Sequence, residues 1–298
     1  MRVRAVDPHG HVSGLSSARV QILEPHAPEI HVGAAPLNAI AVGTTIWTEN
    51  YGDGTISAID TASGTVRSIE VGGQPGGIGF GAGSIWVTDL GDGMLTRVDP
   101  AGRILARIPL GGQSAGVAVA GGVVYVADYT GGLVRVSAET NQVIGRTPLP
   151  GNPEAVAVGF GRVWVTNQNG TISPLEPQSG AVMSSAIHVG DDVDDVAIGS
   201  DAVWAVALYG RTLARIDPVS AQVVAQMRTP GQASGVLATA DAIWLSNYDQ
   251  ATVTRVDAAS LAVAKTYRVG DRPRGLAEGG GSIWIANQGS NSVSRIAP

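Results

Sequence analysis

Residues 71–110 read VGGQPGGIGFGAGSIWVTDLGDGMLTRVDPAGRILARIPL. Four short β-rich runs can be read in this stretch: Gly77–Phe80, Ser84–Thr88, Leu95–Asp99 and Arg103–Leu110. Each is bounded by Gly, Pro or Asp, the residues that make tight turns. Working outward from Trp86, an aromatic recurs in the same W-V-T-D-like context at Trp47, Trp86, Tyr125, Trp164, Trp204, Trp244 and Trp284, at spacings of 39, 39, 39, 40, 40 and 40. All six Trp of the chain stand in this register, and Tyr125 takes the seventh place.

Four strands in about 40 residues, repeated in series, is the pattern of propeller blades. The expected fold is therefore all-β, a seven-bladed β-propeller. First strands rich in small residues fit the crowded centre of such a ring, as in Val117-Ala118-Val119 and Val156-Ala157-Val158. The aromatics of the second strands are expected to fill the wider gap between blades, as core.

The seventh unit stops after its third strand, Ser292–Ile296, while Glu29–Gly33 matches the fourth-strand end Ile69–Gly72. The N-terminal strand is thus expected to complete the last blade, which removes an open sheet edge. This divides the chain into an arm, 1–28, and a propeller, 29–298. Within the arm, Val3–Ser13 resembles the last two strands of a fibronectin type III domain. A rival reading makes Val6-Asp7-Pro8-His9-Gly10 a degenerate blade fragment like Val98-Asp99-Pro100-Ala101-Gly102.

Composition narrows the function. The formal net charge is −6, and no basic cluster is present, which argues against nucleic acid as a partner. No apolar run approaches the length of a membrane span. There is no Cys, which removes disulfides and thiol chemistry. The start MRVRAVDPHG has no apolar leader. The expected location is extracellular or at the cell surface, as a module of a longer exported protein, and the expected state is a monomer.

The motifs Trp86-Val87-Thr88-Asp89 and Trp164-Val165-Thr166-Asn167, with Thr96-Arg97-Val98-Asp99-Pro100, resemble the YVTN family of propeller repeats and the propeller of the virginiamycin B lyase family. The resemblance covers 29–298. It implies the seven-bladed fold and, for the lyase family, a magnesium ion with a catalytic His and clustered His and Glu ligands late in the ring. The corresponding segments here, Asn247–Thr252 and Asn287–Ser292, carry neither His nor Glu.

The seven copies vary on one face. The turns between first and second and between third and fourth strands are monotonous, as in Gly81-Ala82-Gly83. The loops on the opposite, top face differ from blade to blade, which is where binding loops are expected. Three sets stand there. Asn50, Asp89, Asp128, Asn167, Ala207, Asn247 and Asn287 read chiefly as loop-fixing polar groups. The next positions include Tyr51, Tyr129 and Tyr248, which either pack locally or stack on a ligand. The third set is Leu37, Gly76, Ala115, Glu154, Asp194, Ser234 and Arg274.

Glu154, Asp194, Asp195 and Arg274, joined by Arg211, are the expected binding residues at the channel mouth. The run Gly190-Asp191-Asp192-Val193-Asp194-Asp195 offers hard oxygen ligands, so Asp191, Asp192 and Asp194 are candidate ligands for calcium or magnesium, with a solvated acidic loop as the other reading. No nucleophile or P-loop motif is present. The expected function is non-catalytic recognition of a small ligand or protein at the top face. The alternative is a divalent-metal-assisted lyase or hydrolase at the same mouth.

Overall fold

The computed structural model describes residues 2–3, 16–17 and 23–297. Segment 4–15, on which the fibronectin-like and blade-fragment readings chiefly rest, lies outside the described residues. The chain forms seven sheets arranged as a β-propeller, with no helix among the described residues. Blade 2 shows the common plan. Pro75–Gly81 lies innermost, followed outward by Ser84–Asp89, Met94–Val98 and Ile104–Pro109, each antiparallel to the last. The inner strand is longer than the sequence suggests. The third strand ends at Val98, because the Asp99 carboxylate turns back to accept from the Arg103 backbone N–H at 2.8 Å.

The last blade takes Pro273–Gly279, Ser282–Asn287 and Ser292–Ile296 from the end of the chain, and Glu29–His31 as its outer strand. The register is Ser292↔His31, Val293↔Ile30 and Ser294↔Glu29, so the ring is closed as expected. One feature escaped the sequence reading. Leu23–His26, inside the arm, adds a fifth strand to blade 6, parallel to Val263–Arg268. The stretch 23–31 therefore spans the junction between blades 6 and 7.

The aromatic ring is core. Trp47, Trp86, Trp164, Trp204, Trp244 and Trp284 are buried to within 1% of completely, and Tyr125 to within 2%. Each joins aliphatic side chains of its own and the neighbouring blade, as Trp86 does with Val117 and Val124. An arginine lies over most of these rings. In blades 2, 5 and 7 it comes from the third strand: Arg97, Arg215 and Arg295, at 4.9, 5.7 and 5.1 Å from the ring centroid. Blades 1 and 4 have Ala58 and Pro174 at that third-strand position. There Arg67 and Arg162 reach the ring from other strands, at 5.7 and 5.6 Å.

Four of these arginines, and Arg135, tie blades together on the bottom face. Arg67 donates to the carbonyls of Pro100 and Ala101 in blade 2. Arg97 donates to Ala138 of blade 3 at 2.7 Å, Arg135 to Gln178 of blade 4, Arg162 to Val219 of blade 5 at 2.9 Å, and Arg295 across the seam to Thr61 of blade 1 at 3.1 Å. Arg215 and Arg255 instead pair within their own blades, with Asp201 and Asp241, each at 2.7 Å.

Two outcomes test this architecture. Trp164→Ala should cost about 3–5 kcal/mol in denaturant unfolding, as other buried large-to-small changes do. Removing residues through His31 should lower the melting temperature far more than removing residues through Ser17. Blade 7 loses its outer strand only in the longer truncation.

Candidate functional site at the channel mouth

The inner strands all break register near their top ends. The shifts fall between Pro36 and Ala39, at Gly76, between Ser114 and Val117, between Pro153 and Val156, at Asp194, at Ser234, and between Pro273 and Leu276. A bulge leaves one or more residues unpaired and re-aims the side chain. The seven positions of the third variable set, Leu37, Gly76, Ala115, Glu154, Asp194, Ser234 and Arg274, all lie in these bulges, and all seven line one central cavity of about 630 Å³. That volume is typical of small-molecule sites, roughly 300–1,000 Å³.

The charged members come together on one side. Arg274 Nη1 stands 3.8 Å from Asp194 Oδ2, and its Nε donates to Gln288 Oε1 at 3.2 Å. Its guanidinium also lies 5.2 Å from the centre of the Tyr248 ring. Gln168 Nε2 donates to Glu154 Oε2 at 3.0 Å. Burial raises the pKa of Glu154, and the neighbouring Asp194 carboxylate adds to the effect. Asp194 is itself raised by burial, partly offset by Arg274. Asp192 is raised by burial too, again against the pull of Arg274.

Asp195 also lines the cavity, but its oxygens are committed. They accept from the backbone N–H of Val196 at 2.8 Å and of Val236 in blade 6 at 2.9 Å. Burial still pushes its pKa up to about 7. Tyr51 and Tyr129 line the cavity, whereas Tyr248 sits behind Arg274 and does not. Arg211 does not reach the mouth; its guanidinium donates to the Pro230 carbonyl.

The candidate metal ligands do not form a shell. Asp191 is exposed, Asp194 is buried in the wall, and the chain turns between them through Asp192 at φ 61°. Among the described residues no group of three or more His, Asp or Glu side chains is set to hold a metal. The Asn/Asp set fixes loops. Asp89 accepts from the backbone N–H groups of Gln74, Gly91 and Asp92, and Asn247 donates to Thr252 and Thr254.

Sequence reading missed Asn38 and Gln113 in the cavity wall, and a buried acid behind it. Glu49 is fully buried and accepts from the Asn38 backbone N–H at 3.1 Å and from Asn38 Nδ2 at 2.5 Å. Its Oε2 has no partner. The signal was present: the equivalent residues in other blades are Thr88, Ala127, Thr166, Val206, Ser246 and Ala286, none of them ionisable. Burial lifts the Glu49 pKa to about 7.

The comparisons with known proteins agree on the fold. The family model for the outer membrane protein assembly factor BamB matches residues 91–183, short of half the chain. No curated protein matches by sequence. Among solved structures, virginiamycin B lyase from Staphylococcus aureus superposes with a TM-score of 0.80 at 17% identity, over 90% of this chain and 97% of that one. A catalytically inactive variant of that enzyme with quinupristin gives 0.77 at 18%, over the same 90% and 97%. Hydrazine synthase from Kuenenia stuttgartiensis gives 0.80 at 14%, over 95% of this chain and 99% of that one.

Raised carboxyl pKa values set a direction for stability. The folded state holds these protons more tightly than the unfolded chain does, so stability falls as pH rises from about 4.5 to about 8. Glu49→Gln keeps the shape of the protonated acid. The variant should match the parent near pH 4.5 and exceed it by about 3 kcal/mol at pH 8, measured by urea unfolding at both pH values.

Proposed function

We propose that this propeller is a non-catalytic recognition module that takes a small ligand, or a protruding group of a protein, into its top channel mouth. The observation that carries the reading is the distribution of charge over seven equivalent bulge positions. Glu154, Asp194 and Arg274 face one cavity, while Gly76, Ala115 and Ser234 occupy the same positions in other blades. A purely structural demand would favour the small residue everywhere. Charges in a narrow mouth with low-dielectric walls also act more strongly on a bound group than charges on an open surface.

The rest of the reading is a monomer with no nucleic-acid partner, working outside the cell or at its surface. The partial match to an outer-membrane assembly factor supports the envelope setting. A catalytic reading at the same site has one supporting feature. Glu154 and Asp194 are neighbouring carboxyls whose pKa values burial raises toward neutrality, the condition for general acid–base work. That reading predicts turnover of the bound compound; recognition predicts its recovery unchanged.

The test is a small-molecule library screened by thermal shift and followed by mass spectrometry. Hits should be lost in Ala115→Trp, which plugs the mouth, and kept in Arg162→Ala on the bottom face. The reverse pattern places the site on the wrong face. Consumption of a hit by the parent but not by Glu154→Gln would establish an enzyme instead.

A further inference from the structure

We infer that the group taken by the channel mouth is an organic cation, an ammonium or guanidinium on a small apolar body, seated between Glu154 and Asp194. This rests on the recognition reading above and names its ligand class. Asp194 is 8% exposed and borders the cavity, yet no N–H donor among the described residues hydrogen-bonds to it. Arg274, its nearest cation, stands at 3.8 Å, beyond hydrogen-bonding reach. Other buried carboxyls are served by the fold: Asp89 by three backbone N–H groups, Asp195 by two, Glu49 by Asn38. The Glu154 carboxyl is its hydrogen-bonding neighbour, so two buried acids share a proton with no N–H donor or cation within hydrogen-bonding reach, and part of the desolvation cost stays unmet. An incoming N–H cation that takes the place of the shared proton removes that cost.

The charge balance points the same way. Glu154 and Asp194 feel each other or Asp192 as like charges, and among the described residues Arg274 is the one cation acting on the three acids. Arg274 is already committed to Gln288 and to the Tyr248 ring. Tyr129 stands beside the same acids; burial first, and then their negative charge, raises the pKa of its hydroxyl. Leu37, Leu90 and Ala115 supply the apolar wall for the body of the ligand. An anion would meet three acids for one engaged arginine.

The groups around the cluster, by element, are Glu154 and Gln168 from blade 4, Asp192, Asp194 and Asp195 from blade 5, Arg274 from blade 7 and Tyr129 from blade 3. A cation entering this set displaces a proton. Binding should therefore tighten as pH rises from about 6 to about 8.

Isothermal titration with three probes that share a phenyl ring and a two-methylene spacer tests the inference: phenethylammonium, 2-phenylethanol and 3-phenylpropionate. Phenethylammonium should bind about tenfold or more tighter than the other two, and the Glu154→Gln/Asp194→Asn double variant should lose that preference. Arg274→Gln should strengthen it, which keeps the test open if the double variant fails to fold. Titrations in two buffers of different ionisation enthalpy should show proton release. Preferential binding of 3-phenylpropionate that Ala115→Trp abolishes overturns the cation while leaving the recognition site in place. If none of the three binds, or if binding is indifferent to Ala115→Trp, both readings fail.

Discussion

Seven inner strands meet around one axis, and at several positions their backbones come too close for any side chain. A Cβ added at Gly77 would lie 2.5 Å from the Ala115 carbonyl oxygen, one at Gly116 would lie 2.6 Å from that of Glu154, and one at Gly235 would lie 2.4 Å from that of Arg274. Neighbouring blades therefore touch main chain to main chain, and most inner-strand positions are confined to Gly, Ala or Val. The bulge at the top of each strand is where the chain escapes this restriction. A residue freed from its ladder can project into the channel and carry whatever side chain function asks for. Conformity below the bulge and variety at it follow from the same crowding.

Further out the blades diverge, and large side chains take over the packing. Six Trp and one Tyr fill the gap, and arginines cover the rings while reaching for carbonyls of the next blade. Blades 1 and 4 preserve this contact after losing the arginine from its usual place, because Arg67 and Arg162 arrive over the same ring from different strands. The requirement is for a cation at a point in space, and more than one sequence position can meet it. Such replacement is invisible to a search for a motif at fixed spacing.

This sets what could be read in advance. The Trp spacing and the orphan strand at Glu29 were legible because each depends on local pattern and on the count of strands. The gathering of Glu154, Asp194 and Arg274 was legible because equivalent positions in a ring share a direction. The aspartate run misled for the opposite reason. Adjacent residues in a loop do not share a direction, and the turn at Asp192 sends Asp191 to solvent and Asp194 into the wall. Glu49 stayed hidden because its partner, Asn38, is on another strand and replaces a residue that is glycine in blades 2, 3, 6 and 7. The added strand Leu23–His26 has no counterpart in the repeat, so the repeat could not announce it.

Blade 6 is suspended differently from the others. The arginines that would anchor its two junctions on the bottom face, Arg215 and Arg255, are turned to aspartates of their own blades. Two hydrogen-bonded side-chain ties to its neighbours lie at the top. Asp195 of blade 5 holds the Val236 backbone, and the Ser234 hydroxyl donates to the Pro273 carbonyl of blade 7 at 2.8 Å. Above them Asp194 and Arg274, from the two flanking blades, face each other across it. A group that alters the balance between those two charges acts on the fastening of one blade. The channel mouth and the hold on blade 6 are thus built from adjoining residues, Asp194 beside Asp195 on one flank and Arg274 beside Pro273 on the other.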